Sequence, residues 1–188
     1  MDPRVTDTMK GNDRNILQRV IYEQVRMRSN TERVDAGMVS LTRTVRIEWG
    51  DCDPAGILFY PRYVAMFDHS TTLLIEETLG ARKHQLYRTY AFDGYPVVDN
   101  RARFLKPTRF GDDVVIETRF AGVGRASFKL MHRLTLEGEL AVEGFETRVW
   151  VVRDPGHPGR LRPQPLPQEV ASRFAGEAGA MDSPEPAR

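Results

Sequence analysis

From Leu41 to Trp49 polar and apolar residues alternate. Val45, Ile47 and Trp49 take one side and Thr44, Arg46 and Glu48 the other, which predicts a strand with one inner face. The run Gly50-Asp51-Cys52-Asp53-Pro54-Ala55-Gly56 then breaks the pattern with turn formers. From Tyr60 to Leu79 the period becomes helical, with Pro61 suited to the first turn and Gly80 to the stop. Tyr63, Val64, Met66, Phe67, Leu73, Leu74, Ile75 and Leu79 occupy most of the helix circumference, as in a buried helix.

After a variable connection from Ala81 to Tyr95, four strands are predicted, at Val97 to Phe104, Val114 to Phe120, Ala126 to Leu136 and Leu140 to Val152. The third alternates most cleanly, with Phe128, Leu130, His132, Leu134 and Leu136 on one face. Hairpin turns fit at Gly122-Val123-Gly124 and Glu137-Gly138-Glu139, and strands joined so closely run antiparallel. One long helix followed by consecutive strands implies a curved sheet of about five strands wrapped around that helix, a two-layer α+β domain. Gln168 to Phe174 predict a short closing helix.

Residues 39–176 form the expected domain. Residues 1–38 read as an extension, partly disordered or carrying a short helix capped by Asp13 with Ile16, Leu17, Val20, Ile21 and Val25 on one face. Residues 177–188, ending Ser-Pro-Glu-Pro-Ala-Arg, predict a disordered tail. Lys and Arg number 27 against 26 Asp and Glu, a net charge of +1 that favours neither nucleic acid nor a membrane surface as partner. Cys52 is the single cysteine, so no internal disulfide forms and a reducing cytoplasm is the simplest compartment. No apolar run reaches the length of a membrane span, and no secretory signal core is evident. The four histidines show no metal-ligand spacing, so neither a metal nor another cofactor is predicted.

The stretch Trp49-Gly50-Asp51-Cys52-Asp53-Pro54-Ala55-Gly56-Ile57-Leu58-Phe59-Tyr60-Pro61-Arg62-Tyr63 resembles the opening motif of the 4-hydroxybenzoyl-CoA thioesterase family. That family joins a strand, an Asp-x-Asp-x-x-Gly loop and an aromatic-aromatic-Pro-x-Tyr entry into a central helix. Weaker likeness extends from about Val39 to Phe174, through Tyr95-Pro96, Gly111-Asp112-Asp113 and Ser127-Phe128. The resemblance implies the hot-dog fold, a homo-oligomer (dimer or tetramer) with active sites between subunits, and hydrolysis of an acyl-CoA thioester. Phe59-Tyr60-Pro61 looks like the aryl-CoA branch, whereas short-chain and carrier-protein relatives often place His where Tyr60 stands.

By the same resemblance, Asp53 is the catalytic carboxylate, as nucleophile or as base, and the Tyr60 amide is an oxyanion donor. Thioester hydrolysis needs both such groups, and a helix N-terminus supplies free amides and a positive dipole end. Phe59 and Pro61 flank the entry, and Asp68 matches an acid near the substrate's phenolic hydroxyl. Arg125 and Ser127 match a basic segment at the coenzyme A end, where Gly124 and Ala126 stand in place of basic residues; Arg103, Lys106 or Arg109 could compensate. Taken residue by residue, Asp53 also suits a turn, Asp68 a structural bond, and Cys52 a small buried hydrophobe. Asp51 reads as structural through side-chain bonds to the loop, and His69 as a surface or subunit contact. Two other functions fit the scaffold: a thioesterase for carrier-protein or short- and medium-chain acyl-CoA substrates, and an acyl-CoA-binding protein without turnover.

Overall fold

The computed structural model describes residues 39–157 and 159–177. The extension helix and residues 178–188 of the expected tail lie outside the described residues. Strand β1 (Ser40–Arg46) alternates exposed and half-buried residues, and Ile47 just after it is fully buried. Trp49 departs from the predicted inner face. It opens a 3-10 turn (Trp49–Asp51), is 74% exposed and meets Phe110 edge-on, because the turn rotates the chain out of the strand's period.

Helix α1 (Tyr60–Leu79) carries Pro61 in its first turn and ends at Gly80, whose left-handed φ of 67° suits a residue without a Cβ. Tyr63, Phe67, Ser70, Thr71, Leu74, Ile75 and Leu79 form its buried stripe. Tyr60, Arg62, Ala65, Asp68 and His69 face outward, so within one chain the helix is buried on one side rather than all round. His69 is a surface residue, as read. The connection to the sheet contains helix α2 (Lys83–Thr89), which was not legible because Leu86 is its single buried residue.

The five-stranded sheet has the order β1-β3-β4-β5-β2, and every neighbouring pair is antiparallel. Its members are β2 (Val97–Phe104), β3 (Asp113–Val123), β4 (Ser127–Leu136) and β5 (Glu139–Val149). The β4–β5 hairpin turns at Glu137 and Gly138, as predicted. The β3–β4 turn lies later than predicted. Strand β3 slips register between Phe120 and Gly122 and runs through Val123, and the Gly124 amide then donates to the Ser127 carbonyl at 2.7 Å. The last predicted strand is interrupted at buried Trp150, after which β6 (Val151–Arg153) pairs with β7 (Leu161–Pro163) in a separate ribbon. Helix α3 (Gln168–Phe174) closes the chain, with Val170 and Phe174 fully buried.

The core divides in two. One cluster, including Ile47, Tyr63, Phe67, Ile116 and Leu134, lies under the first half of α1. The other, including Leu74, Ile75, Phe120, Phe128, Trp150 and Phe174, lies under the second half. Each fully buried aliphatic or aromatic side chain stabilises the fold by about 1.5–3 kcal/mol. Buried polar side chains stand between the clusters: Thr71, Thr118, His132, Glu146 and Arg148. Phe67 stacks on the His132 ring at 4.6 Å, and Gly144 makes room for it, since a Cβ there would sit 2.7 Å from Phe67 Cε2.

Candidate active site

The loop between the 3-10 turn and α1 is folded on itself by backbone bonds. The Asp53 amide donates to the Ile57 carbonyl and the Gly56 amide to the Asp53 carbonyl, both at 2.9 Å. The Asp53 side chain adds to this: Oδ1 accepts from the Ala55 amide at 2.8 Å and from the Ile57 amide at 3.4 Å. The turn role open to Asp53 from sequence is therefore real, and it occupies only one oxygen. Among the described residues Oδ2 has no protein partner.

The rest of the framework fixes this loop against the helix. The Phe59 amide donates to the Asp51 carbonyl at 2.9 Å and the Leu58 amide to the Thr108 carbonyl at 2.8 Å. Thr108 is in turn held by Tyr63, whose hydroxyl lies 2.8 Å from Thr108 Oγ1. Asp51 is structural, although its side chain pairs with Arg62 Nε at 3.4 Å instead of bonding the loop backbone. Cys52 points its thiol toward the Glu48 carbonyl at 3.8 Å and is half-buried.

Helix α1 begins without a side-chain cap and without an acid in its first turn. The Tyr60 amide occupies its first position, where no intrahelical acceptor exists, and among the described residues it donates to no loop acceptor either. The positive end of the helix dipole is thus left open beside the Asp53 loop. Phe59 and Tyr60, with exposures of 45% and 65%, form an edge-to-face ring pair at this entrance.

The other predicted residues lie apart from this end. Asp68 sits two turns into α1, is more than half exposed, and bonds Arg148 Nη2 at 2.7 Å through Oδ1. Arg125 lies in the β3–β4 turn and Ser127 opens β4. The loop end is tied to the start of β3, where the Ile47 amide donates to the Asp112 carbonyl. The eleven residues of β3 then span about 35 Å before Arg125 is reached. One chain therefore does not bring Arg125 and Ser127 together with Asp53. Of the compensating cations, Arg103 pairs with Glu143 and Lys106 with Glu139, whereas Arg109 bridges Ile57 through its backbone beside the loop.

An open cleft lined by Leu41, Arg43, Leu73, Glu77, Gly80 and Gln85 lies at the far end of α1 and contains none of these residues. Among the described residues, no group of three or more His, Cys, Asp or Glu side chains is placed to hold a metal ion. No helix among them is long and apolar enough to cross a membrane.

A family model described as the thioesterase-like superfamily matches residues 47–174, from the end of β1 to the last residue of α3. The chain belongs to this superfamily. A curated relative, the 4-hydroxybenzoyl-CoA thioesterase of Pseudomonas sp. (strain CBS-3), is 32% identical over 120 residues, 61% of this chain and 85% of that protein. A solved 4-hydroxybenzoyl CoA thioesterase mutant complexed with 4-hydroxybenzoyl CoA superposes with a TM-score of 0.67 at 28% identity, covering 72% of this chain and 99% of that one. A gentisyl-coenzyme A thioesterase superposes with a TM-score of 0.60 at 31% identity, covering 69% and 98%. The α+β hot-dog fold and the thioester hydrolase class read from the motif are both borne out by these thioesterases.

The buried charges Glu146 and Arg148 were not singled out from the sequence of this thioesterase-superfamily chain. A signal was present: with Val142 and Gly144 they hold the inner parity of β5, which Trp150 continues just beyond it, and a charged residue there requires a partner. His132 stood on the predicted inner face of β4 and was considered only as a metal ligand.

Proposed function

We propose that this protein hydrolyses the CoA thioester of an aromatic acid to the free acid and CoA, with Asp53 as its catalytic carboxylate. The observation that carries this reading is the pairing of a half-tethered carboxylate with an uncapped helix start. Loop amides hold Asp53 Oδ1, while among the described residues Oδ2 and the Tyr60 amide at the mouth of the same loop have no partner. The free oxygen attacks the thioester carbonyl or takes a proton from the water that does. In both cases the carbonyl oxygen gains charge, and the Tyr60 amide and the helix dipole stabilise it. The thiolate of CoA then departs, and water supplies the second oxygen of the acid. Carboxylate, water and backbone amides are the groups this reaction uses.

The aryl substrate rests on Phe59 and Tyr60 at the entrance, whose faces suit stacking, and on the aroyl-CoA substrates named for the two relatives above. The 4-hydroxybenzoyl CoA thioesterase solved with 4-hydroxybenzoyl CoA is an Asp-to-Asn mutant. Asp68 serves as the polar contact at the acyl end.

The functional unit is a homo-oligomer in which a second copy supplies Arg125 and Ser127 for the CoA moiety. Two features support it. These residues lie a whole strand away from Asp53 of their own chain. Edge strand β2 and the residue after it expose Val97 and Val98 at one end and Phe104 and Leu105 at the other, apolar ends that invite pairing or cover. A reducing cytoplasm suits its single cysteine.

CoA release from 4-hydroxybenzoyl-CoA, benzoyl-CoA and hexanoyl-CoA tests the reading. Faster turnover of the aryl thioesters supports it. Preference for hexanoyl-CoA points instead to an aliphatic thioesterase, and acyl-CoA binding without turnover to a non-hydrolytic binder.

A further inference from the structure

The polar layer between the two core clusters is connected. Arg148, with 4% of its side chain exposed, places Nη2 2.7 Å from Asp68 Oδ1 and 2.7 Å from Glu146 Oε2. Its Nε also donates to Glu146 Oε2, at 2.8 Å. Glu146, 1% exposed, accepts from the Thr71 hydroxyl at 3.4 Å and has His132 Nε2 at 3.7 Å. His132 is held by Thr118 Oγ1 at 2.9 Å and by its stack on Phe67. Every member is buried except Asp68, whose side chain is 56% exposed and whose Oδ2 has no protein partner among the described residues.

Stability does not account for such a layer. Charges placed between two apolar clusters lose their hydration, and an apolar filling of the same volume often does as well or better. The arrangement has a single outlet, an aspartate on the exposed arc of α1 that begins at Tyr60. An exposed aspartate on a helix is ordinarily free to change rotamer. This one is tied through one oxygen to a guanidinium that Glu146 grips by two nitrogens, so its second oxygen has a fixed direction.

We propose that Arg148, clamped by Glu146, is a positioning residue that fixes the Asp68 carboxylate as an acceptor and thereby favours acyl groups with a hydrogen-bond donor at their far end. The proposal rests on the aryl-thioester reading above. It adds that discrimination between a hydroxylated and a plain aryl group is set from the core, by residues that touch no substrate.

The test compares kcat/KM for 4-hydroxybenzoyl-CoA and benzoyl-CoA in the parent, in Asp68→Asn, in the paired substitution Glu146→Leu with Arg148→Met, and in all three combined. The paired variant replaces buried charges by apolar groups of similar volume, a change that proteins tolerate, and its melting temperature verifies folding. The parent should prefer the hydroxylated substrate. The paired variant should lose about tenfold of that preference, mainly through KM, and adding Asp68→Asn to it should change the ratio no further. Glu146→Gln, which keeps volume and a bond to Arg148, gives a smaller shift in the same direction and serves if the paired variant does not fold. A purely structural role lowers both rates together and leaves the effect of Asp68→Asn intact, which overturns the proposal. Equal rates on the two thioesters in the parent overturn it as well. No turnover of either one in the parent overturns the aryl reading, and this proposal with it.

Discussion

The Tyr63 hydroxyl lies 2.8 Å from Thr108 Oγ1 and accepts from the Thr108 amide at 3.3 Å, so one buried side chain of α1 holds the segment against which the Asp53 loop is folded. Tyr63→Phe removes both bonds and leaves Thr108 buried without them. The expected cost is about 1–3 kcal/mol of stability, measured by urea unfolding. Turnover should fall as well, because Leu58 hangs from the Thr108 carbonyl and a looser loop misplaces Asp53.

Gly144→Ala tests the contact that joins the core to the polar layer. The new methyl would meet Phe67 Cε2 at 2.7 Å and Cδ2 at 2.8 Å, so the ring must shift. Overpacking of this kind costs about 1–3 kcal/mol, and the Phe67–His132 stack should break. A lower melting temperature checks the first effect, and changed His132 ring resonances check the second.

Glu146 gives the fold a pH dependence of predictable sign. Burial alone would raise its pKa, but the neighbouring His132 and the Arg148 guanidinium outweigh burial and hold it below the ordinary carboxylate value of 4.5. A lowered folded-state pKa means that the stabilisation is complete above the unfolded value and disappears as pH falls through the folded one. Urea midpoints measured from pH 7 down to pH 3 should drop below about pH 4.5, and the drop should be shallower in Glu146→Gln than in the parent.

Val98→Lys addresses the oligomer. Val98 is 60% exposed on edge strand β2, so a lysine there leaves the packing of a single chain undisturbed. A charge beside Val97, at one apolar end of that edge, opposes pairing with another copy. The variant should show a smaller mass by light scattering, together with lost turnover. A folded variant that keeps both mass and turnover would place the interface elsewhere.

Much of this molecule could be read from its sequence, wherever one period governs a whole element. Helix α1, the inner face of β4 and the short helix α3 all fall where their apolar spacing puts them. The misplacements arise where tertiary contacts override local pattern. Trp49 follows the strand period yet turns outward, because the 3-10 turn intervenes. Strand β2 leaves its sequence neighbours to pair with β5, a choice made by the sheet and not by any residue of β2. The loop motif singled out Asp53 and Tyr60 as candidates, but the bonds to the Ala55 and Ile57 amides and the brace from Tyr63 depend on how the loop folds back. Arg148 was missed because a period-two reading sorts residues by face without asking what a charge on the inner face must touch.

Asp53→Asn is the most direct test of the central claim. The amide oxygen of Asn can still accept from the Ala55 amide, so the loop and the melting temperature should be preserved while the free carboxylate oxygen is lost. Turnover of 4-hydroxybenzoyl-CoA should fall by about 100-fold or more, as for removal of a catalytic acid–base or nucleophilic group. A folded Asp53→Asn protein that releases CoA at the parent rate would contradict the assignment of Asp53 as the catalytic carboxylate.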